Sequence, residues 1–203
     1  MRNIKEKRER ALGTKLFLKA DRCNSAKCAT IRRPTKPGMH GERRRRGAPS
    51  EYALQLTEKQ KLQIIYGLSN TQTTNLFKKE EDKRVILRNL EKRLDRTVFL
   101  LGIAKSSRIA RQLVSHGHIL VNNKKVTISS YVLKVGDTIA VREESRKRKN
   151  FEELENQVKQ AAPPMWLKTK DKYTGEIVKE PDIDLAGALP FDINLVGEFY
   201  ARR

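Results

Sequence analysis

Cys23 and Cys28 are the only two thiols in the chain, and the five-residue step between them invites a test against zinc. A structural zinc site is closed by four Cys or His ligands, so two thiolates are half of one. His40 would raise the set to three, and nothing in its spacing demands it. No metal or other cofactor is therefore expected, and the cysteines are expected to pack an N-terminal loop. The two remaining histidines, His116 and His118, flank Gly117 at a predicted helix end, where a cap or phosphate contact is the ordinary use. No G-x-x-x-x-G-K-[ST] or G-x-G-x-x-G run is present, and no Ser/His/Asp arrangement, so neither an enzyme nor a small-molecule substrate is expected. Arg43, Arg44, Arg45 and Arg46 are different. Four adjacent guanidiniums repel one another and need a counterion, and their fork geometry suits bidentate grip on phosphate.

The elements that must carry these groups follow from patterning. Residues 1–50 mix basic residues with Gly and Pro, and are expected to stay irregular and to order on a partner. Ser50 is a natural N-cap for a helix from Glu51, and a shorter helix is predicted over 71–79. Leu87, Leu90, Leu94, Val98 and Leu101 step by three and four, which predicts one helix over 83–101. A second is predicted at 107–116, capped by Ser106 or Ser107, burying Ala110, Leu113 and Val114. The period then changes to two. Ile119–Val121, the Asn122-Asn123 turn and Lys125–Ile128 predict a hairpin, and Tyr131–Leu133 and Thr138–Val141 further strands. A charged surface helix is expected over 143–160, a small hairpin around Trp166 to Val178, and a terminal element of unspecified type over 191–201.

Charge says what such a molecule meets. The 203 residues carry 44 Lys plus Arg against 24 Asp plus Glu, a formal net charge of +20. Residues 1–50 hold 16 basic and 4 acidic side chains, 51–150 hold 21 and 10, and 151–203 hold 7 and 10. A polyanion is the expected partner, contacted by the first three quarters. No apolar run approaches the roughly 20 residues of a spanning helix, and no secretory leader opens the chain, so a reducing, cytoplasmic setting without membrane is expected. Within 92–142 the polar groups gather: Arg93, Arg96, Lys105, Ser106, Ser107, Arg108, Arg111, Gln112, Ser115, His116, Lys124 and Lys125. Arg108, Arg111 and Gln112 share a helix face, and the helix start at Ser106 offers backbone N–H groups to phosphate. Such a face reads RNA by shape and backbone.

Lys92-Arg-Leu-Asp95, Leu101-Gly102, Ala110-Arg-Gln-Leu-Val114, His116-Gly-His-Ile119, Val121-Asn122, Ser130-Tyr131 and Gly136-Asp137 together resemble the alpha-L RNA-binding module. The flanks narrow the choice. Leu16–Lys19, Arg32-Arg33-Pro34, Pro37–Gly41, Pro49–Tyr52, Gln55–Lys61, Ile65–Gly67 and Glu198–Tyr200 resemble, in order, the small-subunit ribosomal protein "S four" family.

That resemblance implies an α+β fold: a mainly helical domain with an extended N-terminal tail, and an inserted alpha-L domain of two helices and a small antiparallel sheet. It places an extended basic region over 1–48, the helical domain over 49–91 and 161–203, and the alpha-L domain with a trailing surface helix over 92–160. It implies a structural constituent of the small ribosomal subunit that binds the 5′ domain of small-subunit ribosomal RNA and nucleates assembly. It also implies contact with neighbouring ribosomal proteins three and five. Arg43–Arg46 match the family's loop at the messenger RNA entry channel, which influences accuracy. Expected RNA contacts are Arg32, Arg33, His40, Arg43–Arg46, Lys59, Lys61, Arg93, Lys105, Ser106, Arg108, Arg111, Gln112, His116, His118 and Lys124. Some members of the family carry four Cys. Here Glu6 and Glu9 fall where the first pair would be, leaving Cys23 and Cys28 as a half-site. Ser107, Asn123 and Ser129 replace a common Arg, Gly and Pro; the first removes a candidate phosphate contact. A free alpha-L factor in RNA quality control or stress is the alternative, and the flanks argue against it. A modifying enzyme using Asp95 would need a further catalytic domain.

Overall fold

A computed structural model describes residues 6–18, 20–41, 48–80, 82–147, 151, 158, 162–181 and 189–201. The chain divides into two compact units, residues 1–83 with 188–203, and residues 84–187.

In the first unit, three short helices occupy the segment expected to be irregular: α1 (Lys7–Leu12), α2 (Ala20–Cys23) and α3 (Ala29–Arg32). Leu16, Leu18, Cys23 and Cys28 are buried, and so are Glu6 and Glu9. The carboxylates explain why an Arg- and Lys-rich stretch can order itself. Glu9 Oε1 accepts the Leu16 N–H at 2.9 Å and the Leu18 N–H at 3.2 Å, on either side of Phe17. This grip holds Phe17 at φ 53°, a left-handed conformation that costs an L-residue roughly 1–2 kcal/mol.

Helix α4 (Glu51–Ile65) starts where the sequence predicts, with Ser50 Oγ accepting the Ala53 N–H. Helix α5 (Asn70–Lys79) opens on a reciprocal Ser69–Gln72 capping box. The terminal element is a helix, labelled α10 below (Ile193–Ala201), which packs on α4. Their seam is part polar: the buried Gln55 donates to Glu51 at 3.3 Å and to Glu198 at 3.2 Å.

The second unit departs from the predicted continuous helix. The stripe at 83–101 forms α6 (Lys83–Glu91) and α7 (Leu94–Leu100), broken at Lys92-Arg93. The reason is tertiary. Lys92 O accepts the Leu133 N–H at 2.9 Å, and the Leu94 N–H reaches Tyr131 O at 2.8 Å. Residues 92–94 thus pair with 131–133, which form an isolated bridge at Val132 rather than the predicted strand. Helix α8 (Ser107–Ser115) is capped by Ser106 and buries Ala110, Leu113 and Val114 as expected. Gly117 then reverses the chain at φ 73°.

The sheet is antiparallel with strand order β2-β1-β3-β5-β4. Strands β1 (Ile119–Val121) and β2 (Lys124–Lys125) flank the predicted turn, where Asn122 and Asn123 both take positive φ. Strand β3 (Thr138–Val141) pairs with β1 through Leu120–Ala140 and with β5 through Ile139–Gly175. The hairpin of β4 (Leu167–Asp171) and β5 (Thr174–Ile177) therefore completes this sheet, whereas the sequence reading had grouped it with the helical domain. Within 143–160 the structure describes helix α9 (Glu143–Arg146), and Phe151 is buried in the core with Leu94, Leu101, Ile119, Ile139 and Trp166.

Candidate nucleic-acid interface

Helices α7 and α8 pack together, and their sequences put three charged side chains at one point. Asp95 lies in the first turn of α7 and is 5% exposed. Its Oδ2 accepts Arg111 Nη2 at 2.7 Å and Arg111 Nε at 3.0 Å, both from α8. Arg93 Nε and Nη2 donate to the two carboxylate oxygens at 3.1 and 2.9 Å, and the Arg96 N–H to Oδ1 at 2.9 Å. One carboxylate thus orients two guanidiniums, and the cluster keeps a net positive charge. Arg93 is buried and Arg111 is a quarter exposed, so Arg111 presents the cluster to solvent. Arg96 is held by Glu91 at 3.1 Å and lies over Phe99 at 5.4 Å.

Around this point the expected surface is present in part. Gln112 and His116 are exposed on α8 and at its end, Lys124 is exposed on β2, and Lys105 and Arg108 are half-buried. Ser106 is buried, because its hydroxyl accepts the Ile109 N–H as the cap of α8. His118 is buried too. Its Nδ1 lies 2.9 Å from Ser145 Oγ and its ring meets Phe151 edge-on, which docks α9 on the core. Arg93, Ser106 and His118, expected at the interface, therefore hold it from beneath.

The first unit divides the same way. Arg32, Arg33 and His40 are exposed. Lys59 is buried with its ammonium 4.4 Å from the Phe199 ring centre, and Lys61 pairs with Glu58 at 2.7 Å. These two lysines brace α4 and do not form an open basic face. Arg43–Arg46 lie outside the described residues.

The half-site of Cys23 and Cys28 does not fit zinc. Glu9 is engaged by two backbone N–H groups, and Cys23 Sγ donates to its Oε2 at 3.8 Å. Glu6 Oε2 accepts the Ala29 N–H at 2.9 Å and Oε1 faces Arg22 at 3.1 Å. The Cys28 thiol contacts Thr30 Oγ1 at 2.9 Å, a hydrogen bond that lowers it below the usual thiol range. Among the described residues, no group of three or more His, Cys, Asp or Glu converges on a point that could hold a metal ion.

Sequence reasoning weighed Asp95 only as the acid of a modifying enzyme and missed its role as the anchor of Arg93 and Arg111. The signal was available, since a carboxylate three positions before a buried-face valine in a basic helix needs a cationic partner.

Comparison with known proteins agrees with this layout. The description "S4 domain" matches residues 92–139, and "Ribosomal protein S4/S9 N-terminal domain" matches residues 1–97. The chain is 47% identical over 201 residues to small ribosomal subunit protein uS4 of Thermus thermophilus, covering 94% of this chain and 93% of that one. Identity to the proteins of the same name is 43% over 196 residues in Syntrophomonas wolfei and 44% over 199 in Halothermothrix orenii, with the same coverage. A match of this strength runs through the flanks as well as the module, and places the chain in the small ribosomal subunit protein uS4 family.

Proposed function

We propose that this chain is a non-catalytic, structural constituent of the small ribosomal subunit, and that its alpha-L unit binds small-subunit ribosomal RNA. The carrying observation is that relatives named for that subunit match over 94% of the chain, while the RNA-binding module spans only residues 92–139. A free alpha-L factor would share the module and not the flanks. The finer reading is that the chain binds the 5′ domain of that RNA early in assembly, beside proteins three and five, in cytoplasmic ribosomes. In this reading Arg43–Arg46 face messenger RNA at the entry channel and bear on accuracy. The mechanism is electrostatic and shape-based: Lys and Arg release counterions from phosphates, while the Asp95 cluster fixes the register of the α8 face. The N-terminal knot closes through Glu6 and Glu9 without metal.

A salt titration tests the core of this. Binding to a transcript of the 5′ domain is compared with binding to a plain RNA duplex of equal length. The transcript is expected to bind at least about a hundredfold more tightly at physiological salt, a threshold set below the roughly thousandfold at which the usual specific margin begins. Equal affinities with one steep salt slope would reduce the chain to a basic RNA coat. In the same titration, changing Arg43–Arg46 to Ala is expected to cost less than about tenfold. A collapse of transcript binding would remove the messenger assignment.

A further inference from the structure

The charge balance of the last quarter points away from nucleic acid, yet the turn between β4 and β5 carries a built cationic cleft. An open cavity of about 590 Å³ is lined there by Arg146, Lys170, Asp171, Lys172 and Tyr173 among others. The Arg146 guanidinium lies 4.8 Å from the Tyr173 ring centre, and Lys172 Nζ lies 5.2 Å from the same ring. Val141, the last residue of β3, fixes both partners of the Arg–Tyr pair. Its N–H donates to Tyr173 O at 2.9 Å, and its carbonyl accepts Arg146 Nε at 3.2 Å. An exposed arginine ordinarily loses rotamer freedom on gripping an anion. This one is already held by a strand end and an aromatic face, so less is lost when it binds.

The local acids offset part of this charge, and the cations the cleft relies on are Arg146 and Lys172. Glu143 reaches Arg146 only at 3.9 Å and is itself 87% exposed, while Glu176 pairs with Lys170 at 2.7 Å. Arg146 and Lys172 against one aromatic ring, with Lys170 already paired to Glu176, suit a phosphodiester strand. Phosphates meet the cations, and the ring edge offers a surface to a sugar or base.

We propose that this cleft is a second RNA-backbone contact of the alpha-L unit, with Arg146 and Lys172 gripping phosphates of a strand that passes over Tyr173. The proposal rests on the ribosomal RNA reading above. It extends the binding surface beyond the α7–α8 face and into the quarter of the chain whose net charge argued against it.

The test uses the full chain and the 5′ domain transcript. Arg146→Ala with Lys172→Ala is expected to shallow the log affinity against log salt slope by about two, one per lost phosphate contact. It is also expected to erase one short patch of hydroxyl-radical protection while the rest of the footprint persists. Lys172→Glu, at an exposed turn position, should erase the same patch, and serves if loss of Arg146 perturbs folding. An unchanged slope and footprint in Lys172→Glu, with wild-type discrimination between transcript and duplex intact, overturns this site and leaves the proposed function standing. Loss of discrimination in the wild type overturns the proposed function instead. If inorganic phosphate shifts the Tyr173 signals while the variants bind RNA as wild type does, the cleft is a free-anion site and the proposal fails.

Discussion

Asp95 sets what its neighbours can do. Arg93 is buried and Arg111 largely so, and neither would be affordable there without a carboxylate within hydrogen-bond reach. Asn at this position keeps one acceptor and loses the charge, leaving Arg93 buried and uncompensated. Asp95→Asn is therefore expected to destabilise the second unit by about 3 kcal/mol, the usual result of breaking one side of a buried pair. Urea unfolding followed through Trp166, the only tryptophan and a core residue of that unit, measures it. A loss below about 1 kcal/mol, the range of surface pairs, would show the cluster to be incidental. The sequence made Arg111 legible, because helical spacing put it on a face with Arg108. It could not reveal that Arg93, Lys59 and His118 turn inward. A basic residue has the same identity whether its partner is phosphate, the Phe199 ring or the Ser145 hydroxyl. Only tertiary neighbours decide.

At the scale of elements, caps and turns were legible and long-range pairing was not. Ser50, Ser106 and Asn122-Asn123 act on their own next few residues, and each sits where the local pattern put it. The break at Lys92-Arg93 depends on residues some forty positions away, so a perfect leucine stripe was read as one helix. The approach of β5 to α7 is equally non-local. A methyl on Gly175 would meet the Leu101 δ carbons at 2.6 Å, so any larger residue would force that buried side chain to move. The N-terminal region is the largest departure from expectation, since two glutamates do there what an apolar core does elsewhere. Glu9→Ala strands the Leu16 and Leu18 N–H groups, and each unsatisfied buried donor costs about 1–3 kcal/mol. Hydrogen exchange at those two amides is expected to quicken at least tenfold in the variant, while a chelator leaves wild-type exchange and melting unchanged. A chelator-sensitive wild type would mean that a metal, and not the carboxylates, holds the knot.

The whole molecule divides its charge between both units. Residues 84–187 carry 21 Lys and Arg against 13 Asp and Glu, net +8, which leaves +12 for the other unit. Neither is a neutral scaffold for the other. The sequence resemblance located the alpha-L unit but ended it at residue 160, with the expected surface helix over 143–160 as its trailing element. Sheet completion by β4 and β5 moves that boundary to 187, and gives the unit its own core drawn from α7, α8 and four of the five strands. A unit with such a core, and with all its strand pairing internal, should fold alone. A fragment of residues 84–187 is expected to unfold cooperatively in urea with Trp166 buried at the outset. It should bind the 5′ domain transcript more weakly than the full chain and with a shallower salt slope, since it retains only part of the phosphate contacts. Tethering then accounts for the difference: once one unit is seated, the other binds at a high effective concentration, and the affinities compound. A fragment that matched the full chain in affinity and slope would show that the first unit's +12 meets some other polyanion. A fragment that failed to fold would show that the alpha-L unit depends on residues 1–83 or 188–203 for its stability.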